Sequence, residues 1–226
     1  MKLVSTISYK EFTFGIFSYL ISGMLTFLLS AGISSFYLPL PRNIFSILLM
    51  GMFLVTFQIF CQRQIIDLNI SFSNAILCYF AYSAVLGMYC SYIFLLFNFK
   101  DIMKATIGAA IISISAYLFG RYAKFDLTEI YDAARYAIIV CSISILINYF
   151  LLQTPLLFVA IDLVLLCSIP VAMAYFGQYF QVLYYQASDE ERPRLQLIAA
   201  LHLLINFVNL LIIILRLFFN QKKRSE

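Results

Sequence analysis

Residues 195–219 read LQLIAALHLLINFVNLLIIILRLFF, and this stretch decides the fold. Apart from one glutamine at its start, it contains four polar or charged residues, His202, Asn206, Asn209 and Arg216, and its other residues are all apolar. A helix of about 20 apolar residues crosses the hydrocarbon core of a bilayer, which is about 30 Å thick. The stretch is therefore predicted to be a transmembrane helix.

The four polar residues of this helix are spaced so that they share one face. His202, Asn206, Asn209 and Arg216 stand at positions i, i+4, i+7 and i+14, which a helix brings to one side. Such a stripe is expected to face protein or water rather than acyl chains. It either lines a pathway or cross-links helices through hydrogen bonds worth about 0.6–2 kcal/mol each.

The rest of the chain has the same apolar character. Of its 226 residues 63% are hydrophobic and 12% are charged, whereas soluble domains carry about 25% charged residues. The segments lack the alternation of a transmembrane β-strand. We therefore predict an all-α polytopic membrane protein, a single integral membrane domain over residues 1–226 with about seven helices. They are expected at 12–33, 44–61, 70–97, 102–120, 136–152, 155–179 and 195–219.

The partner that the composition predicts is the lipid bilayer. The net charge of +4 comes from residues in short connections, so nucleic acid is not expected as a partner. A chain with one histidine cannot form an HExxH metal site, and the five cysteines include no CxxC pair. No GxSxG, P-loop or GxGxxG motif is present. We expect no catalytic residue, no metal site, no cofactor and no enzyme activity.

Asp162 is the carboxylate predicted to lie inside the membrane, in the sixth helix. An ionisable side chain at the centre of a membrane helix costs about 2.5–3.5 kcal/mol on insertion scales, so such residues are the first candidates for function. One interpretation is a structural ion pair or a protonated carboxyl group. The other is a cation site or a proton relay.

The stretch after the fourth predicted helix resembles a known family motif. Gly120-Arg-Tyr-Ala-Lys124-Phe-Asp126-Leu-Thr128 is similar to Gly-Tyr-Thr-Thr-Lys-x-Asp-Leu-Thr of the Bax-inhibitor-like family, also called the transmembrane Bax inhibitor motif family. Residues 200–216 resemble the last helix of that family, which reads Leu-Tyr-Leu-Asp-Phe-Ile-Asn-Leu-Phe followed by Leu-Arg. The resemblance covers roughly residues 12–216 and implies seven membrane helices.

The resemblance also implies an activity. Bacterial members of the family carry a cation leak, mainly of calcium, which pH gates through two aspartates on helices six and seven that share a proton. In this chain those positions match Phe176 and Asn206, so both carboxylates are absent. Asparagine does not titrate near neutral pH and phenylalanine has no ionisable group. We therefore predict that proton gating of this kind is lost.

The same alignment predicts an ion pair. If Phe176 and Asn206 lie level on antiparallel helices, Asp162 lies level with position 220. Arg216 is then four residues away along the helix, or about 6 Å at a rise of about 1.5 Å per residue. An arginine side chain spans that distance, so we predict an Asp162–Arg216 pair.

Two functions follow from these observations. The first is a passive cation pathway, for an ion such as calcium, with proton gating lost. The alternative is a non-conducting regulator that contacts other membrane proteins, such as proteases, and the loss of both aspartates favours it. In either case we expect a multi-pass protein of the bacterial plasma (inner) membrane.

Overall fold

The computed structural model describes residues 8–37, 44–148, 151 and 153–222, and helix is their only regular secondary structure. Seven of the described helices are long and apolar enough to cross a membrane, which confirms the predicted all-α membrane fold. Their bounds are α1 Tyr9–Tyr37, α2 Ile44–Ile66, α3 Phe72–Leu96, α4 Phe99–Tyr122, α5 Thr128–Ile147, α6 Pro155–Gln186 and α7 Arg192–Lys222. Residues 149, 150 and 152, where the fifth helix was predicted to end, lie outside the described residues.

Most helices extend beyond the predicted apolar segments. The largest error concerns α5, which begins at Thr128 and not at residue 136. Glu129, Asp132 and Arg135 suggested a loop, but they occupy the first turns of the helix. Polar residues are compatible with a helix end that projects from the hydrocarbon core, and an acidic residue in a first turn also interacts favourably with the helix dipole.

The chain divides into two compact units, and the first comprises Met1–Asn98 with Leu183–Leu204. Within it, α1 and α2 each pack against α3. The Tyr79 hydroxyl donates a hydrogen bond to the Tyr19 carbonyl at 2.7 Å, and the Ser30 hydroxyl donates to the Ala84 carbonyl at 2.6 Å. Side-chain hydroxyls of α1 and α3 thus donate hydrogen bonds to backbone carbonyls of the other helix.

The second unit comprises Phe99–Val182 with Ile205–Glu226, and in it the backbones of α4 and α6 approach closely. A Cβ atom added at Gly120 would lie 1.7 Å from the Ala174 carbonyl oxygen, and one added at Gly177 would lie 2.3 Å from the Tyr117 carbonyl oxygen. Glycine is therefore required at both positions by the approach of the facing helix. Small residues at this kind of contact are typical of membrane helix pairs.

We expect Gly120→Ala to destabilise the protein. The added methyl group meets backbone atoms that cannot rotate away, and overpacking of this kind typically costs about 1–3 kcal/mol. Thermal unfolding of the purified protein in detergent measures the effect as a lower Tm. Gly108→Ala is the matched control on the same helix, because its Cβ would meet nothing nearer than 3.9 Å. Equal Tm values for the two variants would contradict the interpretation.

Candidate functional site

The polar stripe of α7 lies along the least buried face of that helix. His202, Asn206 and Arg216 are partly exposed and Asn209 is exposed, whereas most other positions from 194 to 216 are buried. None of the four falls among the buried residues. The four residues that were predicted to share a face are therefore all at least partly exposed, and the stripe is not buried in the protein core.

Asn209 is the most informative residue of this face, because it is both polar and exposed. It is the exposed residue within the described stretch 194–216 of α7, and apolar neighbours Val208 and Leu210 are 2% and 0% exposed. An amide side chain in contact with hydrocarbon loses its hydrogen bonds to water, which is costly. An exposed asparagine on an otherwise enclosed helix is therefore best satisfied by water.

Asp162 of α6 and Arg216 of α7 form the predicted ion pair. The Arg216 Nη2 atom donates to Asp162 Oδ1 at 2.5 Å, so the predicted pair is confirmed. The Asp162 side chain is 1% exposed and that of Arg216 is 35% exposed. The carboxylate is thus buried, while the Arg216 side chain is partly exposed.

Asp162 and Arg216 are joined by one hydrogen bond rather than by a bidentate pair. Asp162 Oδ2 and Arg216 Nε are both buried and have no hydrogen-bond partner among the described residues. An arginine and a carboxylate often form two parallel hydrogen bonds, which is the stronger arrangement. This pair leaves one acceptor and one donor unused.

The loop that carries the family-like motif is held by hydrogen bonds. Asp126 Oδ1 accepts from the Thr128 backbone N–H at 2.9 Å and from the Thr128 hydroxyl at 2.6 Å. These bonds, chiefly the one from the hydroxyl, lower the pKa of Asp126. Asp126 thereby supplies an acceptor at the start of α5, and Lys124 and Asp126 are both exposed. Gly120 serves the α4–α6 contact already described.

Gln178 of α6 ties the same loop to the helix pair. Its amide Nε2 donates to the Phe125 carbonyl at 3.0 Å, and its Oε1 accepts from the Leu127 N–H at 3.1 Å. Both polar atoms of the side chain are therefore used on backbone groups of the loop. Gly120, Asp126 and Gln178 therefore have structural roles in this arrangement.

The two positions that the resemblance matches to the family's aspartates hold Phe176 and Asn206, and neither side chain is ionisable. Phe176 is partly buried, with its ring centroid 5.9 Å from that of Tyr131 and 6.0 Å from that of Phe180. Asn206 is partly buried on α7. In the part of the chain that the structure describes, no group of three or more His, Cys, Asp or Glu residues is placed to hold a metal ion.

Two buried polar residues at the start of α7 were not identified from the sequence. Arg194 donates from Nη1 to the Ile65 carbonyl at 3.0 Å and from Nη2 to the Ile70 carbonyl. Gln196 donates to the Phe12 carbonyl at 3.1 Å. Both side chains are 7% exposed. Arg194 lies one residue before the predicted helix 195–219, and Gln196 lies on a different face from the polar stripe, so spacing alone could not reveal these contacts.

A family model described as inhibitor of apoptosis-promoting Bax1 matches residues 10–224 of the chain. The match spans nearly the whole sequence, including the motif loop and the polar stripe of α7. No curated protein matches the chain.

We expect Asp162→Asn to destabilise the protein, because it leaves the Arg216 charge without its counterion. Breaking a buried pair from one side typically costs about 3–5 kcal/mol, and the partial exposure of Arg216 places the expected loss below that range. Combining the change with Arg216→Gln should restore part of the stability. A double-mutant cycle on thermal unfolding in detergent measures the coupling. Additive effects of the two substitutions would contradict an energetic pair.

Proposed function

Because the chain belongs to the family described as inhibitors of apoptosis-promoting Bax1, we propose that it provides a passive cation pathway across its membrane. The protein is an integral multi-pass membrane protein, and seven helices meet the length and composition of membrane spans. The pathway follows the polar face of α7. Calcium is the ion that the family resemblance implies, and the bacterial plasma membrane is the proposed location.

The exposure of Asn209 is the observation that carries this proposal. A channel wall needs polar groups that water and ions can reach, and α7 offers such a strip on a helix that is otherwise mostly buried. Hydrogen bonding between helices alone does not require an exposed asparagine, because that interpretation depends on a protein partner. Asn209 therefore favours a wet strip over a purely structural one.

The proposed pathway lacks a proton gate of the family type. The resemblance matches Phe176 and Asn206 to the aspartate positions, and these two side chains cannot share a proton as a pair of carboxylates does. His202 is the titratable group of the α7 stripe that could respond between pH 5 and 8. A pH response of the α7 stripe between pH 5 and 8 is therefore assigned to the imidazole.

The absence of both gating aspartates, which the resemblance implies, also favours a second candidate function. A chain that has lost both gating carboxylates could serve as a non-conducting regulator that contacts other membrane proteins, such as proteases. The exposed apolar surface of α2 includes Met52, Phe53 and Val55, which are 72%, 57% and 57% exposed and are available to lipid or to a partner. The two candidates differ in one measurable property, which is ion flux through the isolated protein.

We expect purified protein in dye-loaded liposomes to pass calcium, and Asn209→Leu to reduce the flux about tenfold. That factor corresponds to a barrier higher by about 1.4 kcal/mol, which an apolar constriction in a water-filled strip can supply. Asn74→Leu is the matched control, since Asn74 is an exposed asparagine of α3 in the other unit. No flux from the unaltered protein between pH 5 and 8 would favour the regulator.

We also expect the flux to lack a steep carboxylate-type pH dependence. If a modest response appears between pH 5 and 8, it should disappear in His202→Gln, because that variant removes the imidazole and leaves the stripe polar. The measurement is the initial rate of calcium entry at a series of pH values. A steep pH response that persists in His202→Gln would contradict the loss of the proton gate.

A further inference from the structure

The Asp162–Arg216 pair leaves a buried carboxylate oxygen unused. Among the described residues nothing donates to Asp162 Oδ2, and the one bond to Oδ1 comes from Arg216 Nη2. A pair that served only to hold α6 against α7 would be expected to use both oxygens, since each unsatisfied buried polar atom costs about 1–3 kcal/mol. The free oxygen therefore points to a second use of the carboxylate.

The charge around Asp162 is simple. Among the residues whose side chains are described, Arg216 is the charged group that acts on this carboxylate, and the buried thiol of Cys141 on α5 is its other titratable neighbour. A neutral thiol adds no charge, so the site contributes one negative charge and the guanidinium balances it. If the guanidinium leaves, a single positive charge is needed to restore neutrality.

We propose that Asp162 is a binding site for one hard monovalent cation, such as Na⁺ or K⁺, and that Arg216 occupies this site as a tethered competitor. Carboxylate oxygen is a ligand that hard cations prefer. A divalent ion would leave one uncompensated positive charge in a buried setting, which is strongly unfavourable. The charge balance therefore favours a monovalent ion at this point over calcium.

The geometry allows Arg216 to exchange with a free ion. The Arg216 side chain is 35% exposed while that of Asp162 is 1% exposed, so the arginine, unlike the carboxylate, has accessible surface next to it. Long arginine side chains commonly place their charged end toward water while the stem stays on apolar surface. The single hydrogen bond to Asp162 is the contact that must break.

The consequence for ion passage rests on the proposed function, but cation binding does not. If the α7 strip conducts, the guanidinium of Arg216 is a plug that competes with the ion at Asp162, and removing it should increase the flux of monovalent ions. If the protein does not conduct, the site still binds a cation at equilibrium. The two ideas can therefore fail separately.

The test is thermal unfolding of the detergent-purified protein in NaCl, KCl, CaCl₂ or choline chloride at equal ionic strength. In Arg216→Gln the vacated site should take a small monovalent ion. A ligand at about ten times its Kd stabilises the folded state enough to raise Tm by about 3 °C or more. We expect this rise in NaCl or KCl and not in choline chloride, because choline is too large for a buried site.

The control variants separate the tethered charge from other effects. Arg216→Lys keeps a tethered cation and should respond like the unaltered protein, with no difference between NaCl and choline chloride. Asp162→Asn combined with Arg216→Gln removes the carboxylate and should also show no difference. A salt-specific rise in this double variant, or a larger rise in CaCl₂ than in NaCl for Arg216→Gln, would overturn the proposal.

Poor folding of Arg216→Gln is itself informative. If the variant is recovered as a monodisperse protein in NaCl or KCl but not in choline chloride, a free cation has replaced the guanidinium, as proposed. If it is recovered in none of these salts while the double variant is recovered, the carboxylate does not accept a free monovalent ion and the proposal is wrong.

Discussion

Hydrocarbon offers no hydrogen bonds, and every polar side chain within a membrane span has to be satisfied by its own helix, by another helix or by water. Short hydroxyls use the first route, as when Thr56 donates to the Met52 carbonyl at 2.9 Å and Ser142 donates to the Ile138 carbonyl at 2.8 Å. Tyr79 uses the second route through the Tyr19 carbonyl. Asn209 is exposed on α7, and the proposed pathway assigns it to the third route, water.

Asp162 and Arg216 meet the same requirement for a polar partner, and for charged groups the penalty of lacking one is the largest. Burying a charge without a partner is expensive, and the partly exposed guanidinium of Arg216 neutralises the buried carboxylate of Asp162. The charges balance, but not every hydrogen-bonding atom is used, since Asp162 Oδ2 and Arg216 Nε lack partners among the described residues. This combination of balanced charge and unused polar atoms is the basis for the proposed exchange of Arg216 with a free cation.

The residues that carry the family resemblance have mostly structural roles. Gly120 permits the close approach to Ala174 of α6, and Asp126 supplies an acceptor for the start of α5. Gln178 then fixes the loop between α4 and α5 through two backbone groups. Family membership is thus supported by residues of the scaffold, whereas Phe176 and Asn206 stand where the resemblance implies gating aspartates. A preserved scaffold is compatible with a changed mechanism.

The sequence alone determined that the chain crosses the membrane, where its helices lie to within several residues, and that His202, Asn206, Asn209 and Arg216 share a face. These features depend on local composition and on the 3.6-residue period of one helix, which are written in the order of residues. It also predicted the Asp162–Arg216 pair, because the register of two antiparallel helices follows from one matched position. Only the tertiary structure revealed that Asn209 is exposed, that Gly120 and Gly177 face carbonyls of another helix, and that Arg194 binds the carbonyls of Ile65 and Ile70. Those facts depend on which distant segments pack together, and neither composition nor periodicity specifies that.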